Sequence, residues 1–213
     1  MTGNCLKLIP GTAGKNIGYL YIMPSRASMR VAGGIARGRR IRGTLSAEAR
    51  PTTERARAAI FNILLPDSFV ARRALDLYAG SGSLGIEALS RGAGWVDFVE
   101  RNNRQCGVIK DNLATVGFTE YASVRCADVA KVLKELSGPY SLIMLDPPYK
   151  LASTGDVVQQ IADTHDLVEV GGSVVVGHSR HLELSEAYGS LRRDSLRRYG
   201  DNVVEFYSMR SPN

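Results

Sequence analysis

The feature that most constrains the fold is an alternation of short apolar runs with segments of helical periodicity, which begins near Arg73 and continues almost to the C-terminus. Apolar runs of four to eight residues predict buried strands, and apolar stripes at a spacing of three to four residues predict helices. Repeated strand–helix units favour a parallel sheet with helices on both faces, joined by right-handed connections. The predicted strands cover 74–79, 95–100, 121–128, 141–146 and 173–179, and the predicted helices cover 84–90, 103–116, 129–136 and 154–164.

The last part of the chain predicts an antiparallel hairpin instead of another strand–helix unit. Two β-like runs, over 191–199 and 202–210, flank the pair Gly200-Asp201. A glycine beside an aspartate between two such runs is typical of a tight hairpin turn. We therefore predict an α/β sheet that is mostly parallel and carries a terminal antiparallel hairpin.

The N-terminal part of the sequence predicts two smaller pieces. Residues 1–28 show no periodicity, and we interpret them as a weakly ordered extension. Residues 29–66 combine short extended stretches around glycines, which favour a hairpin, with a helix that Thr52 or Thr53 can cap and Pro66 ends. The remaining residues, 67–213, would form the α/β domain.

Acidic residues mark the carboxyl ends of the first four predicted strands. Asp76 lies inside the first strand, and Glu100, Asp128 and Asp146 end the next three. Ligands of open α/β sheets bind in the crevice outside the carboxyl ends of the strands. We therefore expect these four carboxylates to line one ligand-binding crevice.

A glycine-rich turn follows the first of these strands. Gly80, Gly82 and Gly85 match the G-x-G-x-x-G pattern of nucleotide-binding turns, and Tyr78 lies just before them. Asp76 suits a cofactor with a positively charged amino group better than one with a pyrophosphate. Glu100 could accept hydrogen bonds from both hydroxyls of a ribose. The ribose contact fits NAD and S-adenosylmethionine equally, because both have a free ribose diol.

The other two acids leave more than one interpretation open. Asp128 could accept a hydrogen bond from the amine of an adenine, could cap the following helix, or could do both. Asp146 is followed by Pro147, Pro148 and Tyr149, so that the strand stops and a rigid turn holds the acid and the aromatic ring. This arrangement is typical of a reactive site, although an ordinary turn after a strand would have the same local sequence.

Taken together, these motifs resemble the class I S-adenosylmethionine-dependent methyltransferases. The stretch "DPPY" is similar to the (D/N)PP(Y/F) motif of enzymes that methylate exocyclic amines of bases. The order of "RVAGGIARGRRI", "RPTTERARAAIFNIL", "LDLYAGSGSLGIEALSRGA" and "LDPPY" resembles the bacterial RsmD family, which methylates the N2 amine of a guanine in small-subunit (16S) ribosomal RNA. The resemblance covers residues 30 to about 210.

The resemblance implies a fold, a cofactor and site residues. It implies a seven-stranded Rossmann-like sheet, S-adenosyl-L-methionine as cofactor, and an N-terminal segment that helps to bind RNA. Asp146 and the carbonyl of Pro147 would then accept hydrogen bonds from the target amine, and Tyr149 would stack on the base. The cofactor would contact the glycine turn and the residues Asp76, Tyr78, Glu100 and Asp128.

The distribution of charge supports a nucleic-acid partner. The net charge is +6, and residues 26–57 contain nine arginines, no lysine and two glutamates. A dense arginine block is the expected footprint of phosphate binding, although a solvated basic tail is the alternative. The candidate RNA-binding residues are Arg37, Arg39, Arg40, Arg50, Arg55 and Arg57.

Several other classes of protein are disfavoured. No apolar stretch reaches the length of a membrane span, and the N-terminus does not resemble a secretory signal. The three cysteines and three histidines have no disulfide-framework or zinc spacing, which predicts reduced thiols, no metal, and a cytoplasmic location. The default oligomeric state is a monomer.

Three alternative functions remain open on these residues. An N6-adenine methyltransferase shares the DPPY motif, but not the arginine block in its observed order. An NAD-dependent oxidoreductase would use the glycine turn and leave DPPY unexplained. A non-enzymatic RNA-binding protein would have no need of an intact cofactor turn with Glu100 and Asp146.

Overall fold

The computed structural model describes residues 28–43, 54–64, 68–148 and 151–211. In these residues the strands are β1 (Ser28–Arg30), β2 (Arg40–Arg42), β3 (Arg73–Leu77), β4 (Trp95–Glu100), β5 (Ala122–Cys126), β6 (Tyr140–Leu145), β7 (Val168–Ser179), β8 (Ala187–Tyr188), β9 (Leu191–Tyr199) and β10 (Asn202–Met209). The helices are α1 (Glu54–Ile63), α2 (Ser83–Ser90), α3 (Asn103–Val116), α4 (Val129–Val132) and α5 (Thr154–Asp163).

The main sheet has the strand order β5-β4-β3-β6-β7-β10-β9-β8. The first five strands pair in parallel, and β10 pairs antiparallel with both β7 and β9. This topology confirms the predicted α/β fold and its terminal hairpin. The described sheet has eight strands, one more than the seven expected, because the two-residue β8 adds to its edge.

Most predicted element boundaries agree with the structure to within two residues, and β7 is the main exception. The sequence predicts a start at 173, but β7 begins at Val168. The extra length includes Gly171 and Gly172, and the pairing with β6 shifts register between Tyr140 and Leu142. Gly171 has a positive φ, and a β-bulge can hold such a glycine inside a strand. The two glycines, which the sequence suggests as a turn, therefore lie within β7.

Helices cover both faces of the sheet, as the strand–helix alternation predicts. One hydrophobic core lies between the sheet and helices α1, α2 and α3, with Ile60, Ile86 and Ile109 among its buried residues. The second core lies on the opposite face and includes Val132 of α4 and Val158 of α5. The sheet is therefore buried on both faces, which leaves its carboxyl edge as the place where loops can form a site.

Strands β1 and β2 form a separate antiparallel hairpin that packs on helices α2 and α3. Glu87 Oε2 accepts a hydrogen bond from Ala32 N at 2.8 Å, and Ser90 Oγ accepts one from Ala36 N at 2.9 Å. Asn112 accepts a hydrogen bond from Arg42 N at 2.8 Å and donates one to Arg42 O at 2.9 Å. These buried anchors satisfy backbone groups of the hairpin and fix its position on the body of the protein.

The hairpin and α1 also share the hydrophobic core of the sheet. Val31 and Ile41 are buried in the same cluster as Ile60 of α1 and Val175 of β7. The predicted RNA-docking segment, 29–66, is therefore continuous in its packing with the α/β domain wherever it is described. Its role in docking RNA stays a prediction, and residues 1–27 lie outside the described residues.

The prediction that Arg57 binds RNA is wrong for this structure. Only 1% of its surface is exposed, and its guanidinium donates a hydrogen bond to Arg30 O at 2.7 Å and contacts Met29 Sδ at 3.8 Å. Sequence periodicity placed Arg57 off the apolar stripe of α1, but β1 packs over that face of the helix. Arg57 thus joins α1 to β1 from inside the protein.

Replacing Arg57 by leucine is expected to lower the free energy of unfolding by about 1–3 kcal/mol, because the partly buried contact with the Arg30 carbonyl is lost. Urea unfolding followed by circular dichroism measures this change. The exposed Arg37→Leu variant is the control, and its stability should stay within about 0.5 kcal/mol of the wild type. A stable Arg57→Leu protein with weakened RNA binding would contradict the structural role.

Cys106 of α3 and Cys126 at the end of β5 lie side by side, with their Cα atoms 6.1 Å apart. The reduced state of the thiols stays a prediction. The two residues are 20 positions apart in sequence and have no recognisable spacing. Packing of α3 against β5 brings them together, which spacing alone could not indicate. Cys5 lies outside the described residues.

The described part of the chain lacks two further classes of feature. None of its helices is both long and apolar enough to cross a bilayer. Within the same residues, no group of three or more His, Cys, Asp and Glu side chains is arranged to hold a metal ion.

Candidate active site

The candidate site lies where the winding of the sheet changes direction. Strand β3 lies between β4 and β6, and the chain proceeds from β3 through β4 to β5 before it crosses to β6. The helix after β3 covers one face of the sheet and the helix after β6 covers the other. The loops after β3 and β6 therefore diverge and leave a crevice, which is where open α/β sheets bind their ligands.

The glycine turn after β3 forms one wall of this crevice. Gly80 and Gly82 have φ values of 56° and 76°, a backbone conformation that residues with a side chain rarely adopt. Gly85 is needed for a different reason, because a Cβ there would lie 2.3 Å from the ring of Phe98. Tyr78, just before the turn, also has a positive φ of 59°. A bulky residue in this conformation is strained, and such residues concentrate at functional sites.

Asp76 lies beneath this turn and is almost fully buried. Its Oδ2 accepts a hydrogen bond from Gly85 N at 2.8 Å, so the carboxylate holds the first turn of α2. Burial raises the pKa of Asp76 well above its usual value, the bond from Gly85 opposes that rise, and the charges of Asp146 and Glu100 add to it. Asp76 is thus close enough to Asp146 and to Glu100 to be affected by the charge of each, so three of the four predicted acids lie near one another.

Glu100, at the end of β4, joins the glycine turn to the neighbouring strand. Its Oε2 accepts a hydrogen bond from Gly80 N at 3.0 Å, and its Oε1 accepts one from Asn102 N at 2.8 Å. Each oxygen of an ionised carboxylate can accept a second hydrogen bond. Glu100 can therefore orient the turn and still accept bonds from the hydroxyls of a ligand.

Asp128, just after β5, caps helix α4, as one of the sequence interpretations predicted. Its Oδ1 accepts a hydrogen bond from Ala130 N at 3.0 Å, and its side chain is otherwise exposed. Burial raises the pKa of Tyr78, and the charge of Asp128 adds to that rise, so the two side chains are close. A contact between Asp128 and an adenine stays a prediction.

Asp146 follows β6 on the other side of the crevice and is half-buried. Pro147 is buried and Pro148 is exposed, so the turn after the strand is packed against the protein at its first proline. Tyr149 lies outside the described residues. The Asp146 carboxylate lies against the backbone of β7. A Cβ built on Gly177 of this strand would be only 2.7 Å from Asp146 Oδ1.

A pocket adjoins Asp146 on the face of the sheet covered by α1. Gly177, Tyr199 and Asn202 line it, and His178 borders it although its imidazole contacts Glu205 on the opposite face of the sheet. Sequence analysis missed all four as site residues, because they come from β7 and the terminal hairpin, which carry no recognisable motif. The turn signal at Gly200-Asp201, which brings Tyr199 beside Asn202, was the only available hint.

The candidate RNA-binding arginines fall into three groups. Arg37, Arg39 and Arg40 are exposed on the N-terminal hairpin, and within the described residues none of them has a carboxylate partner. Arg57 is buried, as described above. Arg50 and the side chain of Arg55 lie outside the described residues.

Comparison with known proteins places these features in a family. A family profile described as "Conserved hypothetical protein 95" matches residues 29–208. "Putative rRNA methyltransferase YlbH" of Bacillus subtilis (strain 168) is 38% identical over 186 residues, which are 85% of this chain and all of the relative. "Ribosomal RNA small subunit methyltransferase D" of Escherichia coli (strain K12) is 33% identical over 135 residues, which are 63% of this chain and 67% of that protein.

Solved structures share the fold. "Putative methyltransferase yhhF from Escherichia coli" superposes with a TM-score of 0.77 at 25% identity and covers 87% of this chain and all of its own. An RNA methyltransferase from Salinibacter ruber, solved in complex with S-adenosyl-L-homocysteine, has a TM-score of 0.59 at 13% identity and covers 76% of this chain and 95% of its own. At that identity the second likeness supports the fold alone.

Proposed function

Because the chain belongs to the family described as Conserved hypothetical protein 95, we propose that it transfers a methyl group from S-adenosylmethionine to the exocyclic N2 amine of a guanine in small-subunit (16S) ribosomal RNA. The observation that carries the proposal is the position of Asp146, Pro147 and Pro148 opposite a glycine turn and two further carboxylates at the switch point of the sheet. Relatives named as ribosomal RNA small subunit methyltransferases support the RNA substrate.

The residues of the crevice fit this cofactor. S-adenosylmethionine carries a positive sulfonium and a positive amino group, and the crevice brings the carboxyl groups of Asp76 and Glu100 close together at its edge. The positive φ values at Gly80 and Gly82 allow the backbone to pass close to a ligand. Glu100 would hold the ribose and Asp128 the adenine. When bound, the cofactor supplies an electrophilic methyl group.

The side chains beyond the glycine turn then have to prepare the nucleophile. The N2 lone pair of guanine is delocalised into the ring, so the amine reacts poorly until it is aligned and its hydrogens are held. Asp146 Oδ and the Pro147 carbonyl oxygen are the acceptors for those two hydrogens, and the buried proline keeps the carbonyl in a fixed direction. Asp146 also takes the proton released after transfer, and Tyr149 would stack on the base.

The proposal includes the cellular setting. The substrate would be 16S ribosomal RNA, either within a small ribosomal subunit or within an assembly intermediate, and the enzyme would act as a monomer in the cytoplasm, where that RNA is found. The names of the relatives support ribosomal RNA as the substrate. Experiment has to distinguish free RNA, an assembly intermediate and the complete small subunit.

The decisive experiment incubates the protein with tritiated S-adenosylmethionine and small subunits, or their extracted 16S RNA, from a strain that lacks the corresponding gene. Nucleoside analysis should reveal N2-methylguanosine at a single mapped position. Recovery of N6-methyladenosine would favour the alternative adenine methyltransferase. Absence of transfer to either substrate, together with binding of NAD in a calorimetric titration, would favour the oxidoreductase.

Replacing Glu100 by alanine is expected to weaken S-adenosylmethionine binding by about 1.5–3 kcal/mol, because the ribose hydroxyls and Gly80 N lose a charged acceptor. Isothermal titration calorimetry of the cofactor measures the loss. Glu120→Ala, a change of an exposed glutamate after α3, is the matched control and should bind normally. An unchanged affinity in Glu100→Ala would exclude Glu100 as the ribose acceptor.

A further inference from the structure

We infer that the pocket beside Asp146 receives the acceptor base, that Gly177 positions the Asp146 carboxylate, and that Tyr199 and Asn202 form the specificity wall of the pocket. This inference rests on the proposed function, and it assigns roles to residues outside the four motifs that identify the family.

The order of the strands separates the pocket from the cofactor crevice. The predicted ribose and adenine contacts, Glu100 and Asp128, follow β4 and β5 on one side of β6. The pocket is formed with β7 and β10 on the other side of β6. Asp146, at the end of β6, lies between the two and contributes to both. A group that passes from a cofactor in the crevice to a ligand in the pocket must therefore pass beside Asp146.

The lining of the pocket suits a flat aromatic ring with one polar edge. Its apolar part includes Ile60 of α1, Leu84 of α2 and Val204 of β10. Its polar part includes Asp146 and Asn202. A purine base has apolar faces and a hydrogen-bonding edge, and an enzyme that modifies a base takes it out of its stack into such a pocket. This combination favours a base over a phosphate.

Gly177 determines where the catalytic carboxylate can lie. A Cβ at this position would be 2.7 Å from Asp146 Oδ1 and 3.4 Å from its Cγ, closer than ordinary contact. The φ of Gly177 is outside the left-handed region, so the backbone itself would accept alanine. Glycine is therefore needed at position 177 because the Asp146 carboxylate occupies the space of a side chain, and not because the backbone of β7 requires it.

A buried polar network holds the strand rigid at this point. On the opposite face of the sheet His178 Nε2 lies 3.2 Å from Glu205 Oε1, and Glu205 Oε2 accepts a hydrogen bond from Tyr207 at 2.6 Å and from Arg193 at 3.2 Å. Burial raises the pKa of Glu205, but its bonds with His178, Tyr207 and Arg193 outweigh that effect and the pKa is lowered. The resulting charged cluster joins β7, β9 and β10. The backbone of β7 at Gly177 is therefore held in place and cannot easily shift to make room for an added side chain.

The terminal hairpin supplies two polar or aromatic side chains at the pocket. Tyr199 and Asn202 are directly paired across the tight turn at Gly200-Asp201, and both line the pocket. An aromatic side chain stacks on any base, whereas an amide has both a donor and an acceptor and can read a base edge. The guanine edge next to N2 carries the N1 donor and the O6 acceptor, which an amide can match.

The first test compares Gly177→Ala with Gly107→Ala. We expect Gly177→Ala to reduce the kcat for methyl transfer by about 10²-fold, because the carboxylate must move by a large fraction of an ångström. Its affinity for S-adenosylmethionine, measured by calorimetry, should stay within about twofold of the wild type, as expected for residues outside the cofactor site. Gly107 lies in α3 with open space around it, so Gly107→Ala should leave both quantities unchanged.

The second test concerns the pocket wall. Tyr199→Ala should raise the KM for RNA by about 5- to 150-fold through loss of stacking, whereas Tyr199→Phe, which keeps the ring, should behave like the wild type. Asn202→Ala should lower transfer to guanine-containing RNA more than transfer to the same RNA with 2-aminopurine at the mapped position. The latter base keeps the N2 amine and lacks the O6 acceptor and the N1 donor.

The outcomes separate this inference from the function on which it rests. If the wild-type protein forms no N2-methylguanosine, the proposed function fails. If the wild type is active and folded Gly177→Ala and Tyr199→Ala proteins, checked by thermal unfolding, retain wild-type kcat and KM, the pocket is not the base site and the inference is wrong. If either variant instead loses cofactor affinity, the pocket belongs to the cofactor, which also contradicts it.

Discussion

Replacing Asp146 by alanine is expected to reduce methyl transfer by about 10²-fold or more, since the target amine loses the acceptor that aligns it and receives its proton. The half-buried carboxylate lies between the crevice and the pocket, and the predicted ribose and adenine contacts are made elsewhere. Affinity for S-adenosylmethionine should therefore remain close to that of the wild type. Single-turnover transfer of tritium to 16S RNA and calorimetric titration of the cofactor measure the two quantities on the same preparation.

Two further variants make this result interpretable. Asp146→Asn keeps an oxygen acceptor at the same place but cannot take a proton, so its rate should fall between those of the wild type and the alanine variant. Glu135→Ala changes an exposed glutamate between α4 and β6 and should have no effect. Near-normal turnover of Asp146→Ala would refute the assigned role. Loss of cofactor affinity in parallel with turnover would place Asp146 in the cofactor site instead.

The fold was largely predictable because its signals are local. Helix α3 and strand β4 have the predicted boundaries, since apolar periodicity and a capping residue act over a few positions. The long start of β7 was not predictable, because a bulge with a positive-φ glycine depends on the pairing with β6. The contact between Cys106 and Cys126 depends likewise on the packing of α3 against β5.

Sequence alone indicated only one side of the candidate site, the crevice at the carboxyl ends of β3 to β6. Asp76, Glu100, Asp128 and Asp146 each end or nearly end a parallel strand, and the ends of parallel strands meet at one edge. The structure places three of them near one another, although Asp76 uses its hydrogen bond to hold Gly85. The pocket side was missed because a glycine such as Gly177 has no sequence signature. Its significance appears only when the distance to the Asp146 carboxylate is known.

For the arginines of the N-terminal segment, too, only part of the arrangement could be predicted from the sequence. Composition identified the arginine block, but it could not distinguish an exposed guanidinium from a buried one. Glu87 gave one sequence indication that another segment packs on α2. A glutamate within the otherwise apolar stretch of this helix suggests a buried polar partner, and Glu87 bonds to Ala32 N of the hairpin and to Arg91. The hairpin is thus fixed by buried polar groups, while Arg37, Arg39 and Arg40 remain exposed.

Neutralising Arg37, Arg39 and Arg40 together, each by glutamine, is the second prediction with a large expected effect. If the hairpin docks RNA, the variant should bind RNA at least tenfold more weakly at moderate salt and raise the KM for RNA, because phosphate contacts are lost. Each lost contact should also reduce the slope of log affinity against log salt by about 0.9 for duplex RNA-like targets or about 0.7 for single strands. Filter binding across a salt series measures both quantities.

The structure makes this triple variant a clean test. The anchors of the hairpin, Glu87, Ser90 and Asn112, contact backbone atoms, so removal of three exposed guanidinium groups should leave the fold and the cofactor affinity intact. The double variant Lys131→Gln and Lys134→Gln removes exposed charge from α4 and the turn after it, on the opposite face of the sheet, and should keep the wild-type salt slope. Replacement of the three arginines by lysines keeps the charge, so it should keep the slope while losing bidentate contacts. If the glutamine variant retains the RNA affinity and salt slope of the wild type, the exposed arginines are solvated surface and RNA must dock elsewhere.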